Sequence, residues 1–128
     1  MERQRILIVE DHPTMRGAMR LVLEEGGYRI DEASDGEEAL RLVREDPPDL
    51  MLLDLHMPGV SGAEILGAVR SEPKAAQTRV IVVTADGEEG RERTMALGAD
   101  AYFTKPFSPA VLLRTAAQVL KQPRGAEA

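Results

Sequence analysis

Leu50-Met51-Leu52-Leu53-Asp54 is followed at once by Leu55-His56-Met57-Pro58-Gly59-Val60-Ser61-Gly62. A short apolar run bounded by Pro, Gly and Ser reads as a buried strand leading into a turn. The run closes on a carboxylate, which is costly to bury and needs a donor, a metal or a reaction. Three other runs behave alike: Arg5-Ile6-Leu7-Ile8-Val9 enters Glu10-Asp11, Val80-Ile81-Val82-Val83 enters Thr84, and Ala101-Tyr102-Phe103-Thr104 enters Lys105. If these are parallel strands of one sheet, their polar ends gather at its carboxyl edge, where open α/β sheets bind ligands.

Helix-like stretches alternate with the strands. The first is expected from about Pro13 with Met15, Ala18, Met19, Val22 and Leu23 inward, ended by Gly26-Gly27. Tyr28 to Ala33 alternates apolar and polar residues, as an edge strand does. Asp35 and Glu38 open a second helix in capping-box fashion, with Ala39, Leu40 and Val43 inward, and Pro47-Pro48 stops it. Ser61 and Glu64 open a third that buries Ile65, Leu66 and Val69. The fourth, roughly Glu88 to Leu97, has almost nothing apolar, leaving Met95, Leu97 and Ala96 as anchors. Ser108 and Pro109 start the fifth, with Val111, Leu112, Thr115, Ala116 and Val119 as its core face.

Near-continuous apolar strands imply helices on both faces of a parallel sheet, and right-handed crossovers then give a doubly wound, flavodoxin-like (βα)5 sandwich. Strand order 2-1-3-4-5 would bring Asp11 and Asp54 together at the switch point, although pattern alone leaves the order open. Residues 1–121 are expected to form one domain, with 122–128 a polar, disordered tail or linker stub.

Composition narrows the function classes. A chain of 128 residues, 43% hydrophobic and 30% charged, is ordinary for a globular domain. A net charge of -6 without a Lys/Arg cluster argues against direct nucleic-acid binding. Cysteine is absent, which excludes disulfides and thiolate chemistry. No stretch has the length of a membrane span, and the expectation is a soluble cytoplasmic protein without membrane association.

Glu10, Asp11 and Asp54 would repel one another at adjacent strand ends unless protonated or joined by a counter-charge. An all-oxygen, carboxylate-rich set suits Mg²⁺, with Mn²⁺ as a substitute, and not Zn²⁺. Lys105 adds an ammonium and Thr84 a hydroxyl. Such groups around one carboxylate make a phosphoryl-transfer constellation.

The ordered set Ile6-Leu7-Ile8-Val9-Glu10-Asp11, Asp54-Leu55-His56-Met57-Pro58-Gly59, Gly62, Val82-Val83-Thr84-Ala85, Gly98-Ala99-Asp100-Ala101-Tyr102 and Lys105-Pro106-Phe107 resembles the receiver domain of two-component response regulators, in the style of chemotaxis regulators. The resemblance covers about Arg5 to Leu120. It implies that Asp54 accepts a phosphoryl group from a histidine kinase or histidine phosphotransfer protein. Asp11, Asp54 and the backbone carbonyl of His56 would ligate Mg²⁺, with Glu10 acting through a water. Lys105 would pair with a phosphate oxygen, across a cis Lys105-Pro106 peptide. Thr84 would move to the phosphoryl group, Tyr102 would swing inward, and Ala85 would leave room. His56 and Asp86 border the site and would tune the lifetime of the acyl phosphate.

The surface of the fourth helix, fifth strand and fifth helix would then switch to control a partner protein or output domain, the protein being a monomer or a phosphorylation-dependent dimer. Ala101 stands where one dimerising class has a second acid after Asp100, which counts against that mode. On this reading the domain is not an enzyme beyond self-phosphorylation and slow autodephosphorylation. A phosphate-independent scaffold and a Mg²⁺-dependent aspartyl phosphohydrolase are the rivals, but the second lacks an acid at position 56 and a cap domain.

Overall fold

The computed structural model describes residues 3–122. Five strands, β1 (Arg5–Val9), β2 (Arg29–Ala33), β3 (Leu50–Leu53), β4 (Arg79–Thr84) and β5 (Ala101–Thr104), form one sheet in the order β2-β1-β3-β4-β5. Every pairing is parallel. The helices are α1 (Pro13–Glu24), α2 (Gly36–Glu45), α3 (Gly62–Ser71), α4 (Arg91–Ala96) and α5 (Pro109–Lys121). This is the flavodoxin-like doubly wound sandwich, and the strand order that pattern left open is now fixed.

The period-two alternation of a strand divides the core into two layers. Leu7, Val9, Met51, Leu53, Val80 and Val82 pack with Ala39, Val43, Ile65, Leu66 and Val69 of α2 and α3. Ile6, Ile8, Leu50, Leu52, Ile81 and Val83 pack with Met19, Leu23, Leu112, Ala116 and Leu120 of α1 and α5. Since both faces are covered, β1, β3 and β4 are apolar between their first position and their carboxyl end. The register places Val9 beside Leu53 and Leu53 beside Val82, so the exits of β1, β3 and β4 lie side by side.

The helix starts follow local chemistry. Ser61 and Glu64 form a reciprocal capping box on α3. Asp35 caps α2 by accepting from the Glu38 amide, but the Glu38 carboxylate reaches Ser34 N instead of closing the box on Asp35. Ser108 accepts from the Val111 amide at the start of α5.

Three helix-face expectations are corrected. Ala18 and Val111 are exposed, because buried Met19 and Leu23 set the core stripe of α1, and Leu112, Ala116 and Leu120 that of α5. The fourth helix begins as a 3-10 turn at Gly87–Gly90 before α4. Met95, Ala96 and Leu97 are exposed, and Thr94 is the buried residue of α4. The Glu/Arg-rich stretch offers no apolar stripe, so a small hydroxyl side chain faces inward instead.

Gln122, expected in the tail, accepts a hydrogen bond from Arg79 Nε at 3.0 Å through its carbonyl. The remaining tail residues, 123–128, lie outside the described residues. No helix among the described residues is long and apolar enough to cross a membrane.

Candidate functional site

Four strand exits build the site. The Asp54 amide donates to Val9 O at 3.0 Å and the Lys105 amide to Thr84 O at 2.8 Å, so both side chains leave from fixed backbone. One carboxylate oxygen from each of Glu10, Asp11 and Asp54 lies within 4.8 Å of the others. Glu10 and Asp54 are buried and Asp11 is half-buried. Lys105 Nζ stands 3.0 Å from Glu10 Oε1 and 3.5 Å from Asp54 Oδ2. Glu10 and Lys105 are 95 positions apart in the chain, yet the sheet makes them neighbours.

Three carboxylates against this one ammonium leave the pocket short of positive charge. Burial pushes the Glu10 carboxyl above the usual glutamate range; the bond to Lys105 opposes this and the charge of Asp54 adds to it. For Lys105, burial works downward, but the bond to Glu10 and the charges of Asp54 and Glu10 outweigh it, so its ammonium is held more tightly than usual. Such a set fits a hard divalent cation, because carboxylate oxygens with a half-open face accept Mg²⁺ while leaving room for its waters.

The flanking loops complete the arrangement. Asp54 Oδ1 accepts from the His56 amide at 3.1 Å. Thr84 is buried at the end of β4, and its hydroxyl accepts from the Asp86 amide at 3.3 Å. The side chains of His56 and Asp86 meet at 2.5 Å, joining the two loops across the pocket mouth. Both residues were singled out in the sequence, but 30 positions apart their pairing was not readable. Ala85 is exposed beside Thr84.

Tyr102 is already buried here; its hydroxyl donates to Gly87 O at 2.7 Å, and the Arg91 guanidinium lies 5.0 Å from its ring centroid. The Lys105-Pro106 peptide is cis.

Arg16, which no apolar run marks in the sequence, also borders the pocket. Its Nη1 donates to the Glu10 carbonyl at 2.9 Å and its Nε to Glu32 Oε1 at 2.7 Å. The available signal was the helical period, which returns Arg16 beneath the start of α1 facing the polar positions of β2.

A parallel sheet with a carboxylate pocket at its switch point, a strand-end hydroxyl and a strand-end lysine defines a class of flavodoxin-like α/β domains with an acidic site at the carboxyl edge. The sequence matches the response regulator receiver domain over residues 6–117, and the chain belongs to that family. It is 39% identical over 120 residues to the phosphate regulon transcriptional regulatory protein PhoB of Escherichia coli, covering 93% of this chain and 52% of that protein. It is 45% identical over 115 residues to the transcriptional regulatory protein ResD of Bacillus subtilis, covering 88% of this chain and 47% of that one. The chain thus spans about half the length of these curated relatives.

Among solved structures it resembles the chemotaxis protein CheY4 of Vibrio cholerae, with a TM-score of 0.84, 29% identity and coverage of 92% and 99% of the two chains. It also resembles the receiver domain of sensor histidine kinase PA1611 from Pseudomonas aeruginosa, with a TM-score of 0.86, 28% identity and coverage of 94% and 100%. That receiver was solved with a magnesium ion coordinated in its active site cleft.

Proposed function

We propose that this receiver domain accepts a phosphoryl group on Asp54 from the phosphohistidine of a histidine kinase or phosphotransfer protein, and that the acceptor state changes a protein-binding surface. The observation that carries the reading is the convergence of Glu10, Asp11 and Asp54 within 4.8 Å, with Lys105 against two of them. Asp54, Asp11 and the His56 carbonyl would hold Mg²⁺, with Glu10 acting through a water. Bound there, Mg²⁺ would supply charge neutralisation on the phosphoryl oxygens.

The chain's own residues do the rest. An Asp54 carboxylate oxygen attacks phosphorus as the phosphorus–nitrogen bond of the donor breaks, and the electron pair leaves with the imidazole. The His56 amide keeps the other oxygen fixed during the attack. Lys105 loses its contact with Asp54 and pairs with a phosphoryl oxygen. The Thr84 hydroxyl, now an acceptor for the Asp86 amide, turns to donate to another.

That turn draws on the loop leading to α4, where Thr94 is the buried residue. A weakly anchored element shifts at low cost, and the shift follows the differential contacts of the two states. Tyr102 ties the same loop to β5 through Gly87. A shallow surface lined by Glu88, Arg91, Tyr102, Phe103, Phe107 and Val111 lies beside it and is the proposed partner or output-domain contact. Residues 1–121 would act as this one module, in the cytoplasm.

Beryllofluoride with Mg²⁺ mimics the phosphoryl group and tests the reading by NMR. Amide shifts are expected at Asp54 and His56, and from Thr84 to Tyr102, and they should vanish in Asp54→Asn. Shifts that survive Asp54→Asn, or none in the wild type, would sink it.

A further inference from the structure

We propose that Arg16 is a positioning residue for the acid pocket: its guanidinium holds the Glu10–Asp11 peptide in the orientation that aims the Asp11 carboxylate at Asp54. This rests on the reading of Asp11 and Asp54 as the Mg²⁺ site.

The chain leaves the sheet after Val9, and the Glu10 amide makes its bond to Ala33 O at 3.1 Å. From there to Pro13 the backbone runs outside any ladder, and α1 starts without a side-chain cap. Besides the first helical bond, from the Arg16 amide to His12 O at 2.9 Å, two bonds hold this link in place. The His12 amide donates to Glu10 Oε2 at 3.3 Å, and Arg16 Nη1 donates to the Glu10 carbonyl at 2.9 Å. The second fixes the plane of the peptide that carries Asp11, since rotating that plane would break it.

Arg16 is itself pinned. Its side chain is one-fifth exposed and its Nε meets Glu32 Oε1 at 2.7 Å, while the other oxygen of Glu32 takes Arg20 Nη1 at 2.5 Å. Position is thus passed from β2 through α1 to the loop. Arg16 meets the carbonyl and not the site carboxylates, so it orients the pocket without occupying the place of a cation. A forked guanidinium can bridge a carbonyl and a carboxylate together, which an ammonium on a flexible stem does poorly.

The test is Mg²⁺ affinity by calorimetry, with folding followed by NMR spectra. Arg16→Met is expected to weaken Mg²⁺ binding about tenfold, as loss of groups that orient metal ligands does. Arg16→Lys should weaken it in the same direction, and it carries the test if the Met variant does not fold. Arg20→Met, which removes the same charge from the other oxygen of Glu32, should leave affinity unchanged. In an Asp11→Asn background, Arg16→Met should cost nothing further, because there is no Asp11 carboxylate left to aim.

Wild-type affinity in a folded Arg16→Met or Arg16→Lys, or an equal loss in Arg20→Met, would overturn the positioning role alone. Failure of the wild type to bind Mg²⁺ would overturn the metal site with it.

Discussion

Lys105 stands between Glu10 and Asp54, so its replacement removes one partner from two buried carboxylates at once. Lys105→Met should therefore raise the proton affinity of Glu10 further and slow phosphorylation at Asp54 by at least about tenfold, measured with a small phosphodonor. An unchanged rate would separate the lysine from the chemistry. Glu32 allows a pH test away from the pocket. Burial pushes its carboxyl upward, but the bonds to Arg20 and Arg16 outweigh that and hold it below the usual range. A depressed folded pKa contributes stability that is complete above the unfolded value of about 4.3 and is lost as pH falls through the folded value. The stability gap between wild type and Glu32→Gln should then be constant near neutral pH and shrink on acidification. Urea unfolding at several pH values reads it, and a gap that grows in acid would contradict the assignment. Glu10, Asp54, Thr84 and Lys105 were legible as candidates because each stands at the end of an apolar run. Arg16 escaped because its bond to the pocket goes to the Glu10 backbone carbonyl, while its carboxylate partner Glu32 sits on β2, 16 positions away in the chain.

At the level of elements, the start of α3 is fitted closely to the end of β3. A Cβ at Gly62 would lie 2.4 Å from Leu55 Cα and 2.7 Å from Asp54 O, both backbone atoms that cannot turn aside. Gly62→Ala is expected to cost about 1–3 kcal/mol in denaturant unfolding and to slow phosphorylation by displacing the Asp54 backbone. Wild-type stability would show that the loop yields freely. α4 is the opposite case, with six residues of which Thr94 is buried. Its amides should exchange with deuterium faster than those of α3 and α5. Equal protection would argue against α4 as the moving element. Helices with a strong apolar stripe and an N-terminal cap, α3 above all, were legible residue by residue. α4 was legible only as weak: the charged stretch gave no period, so neither the 3-10 turn nor the inward Thr94 could be read from it.

Across the whole molecule, the site exists because parallel strands of similar length stop at one edge. The register Val9–Leu53–Val82 aligns their exits, and the order β2-β1-β3-β4-β5 puts the exits of β1 and β3 together. The run-and-carboxylate pattern indicated such an edge, whereas the strand order and the His56–Asp86 bridge depend on packing between distant segments. If this edge makes Asp54 a phosphoacceptor, incubating the protein with Mg²⁺ and acetyl phosphate and recording intact mass, with and without a chelator, reveals it. The wild type should gain one phosphoryl group, a gain absent in Asp54→Asn and absent when Mg²⁺ is removed. No gain in the wild type, or a gain that persists in Asp54→Asn, would contradict it.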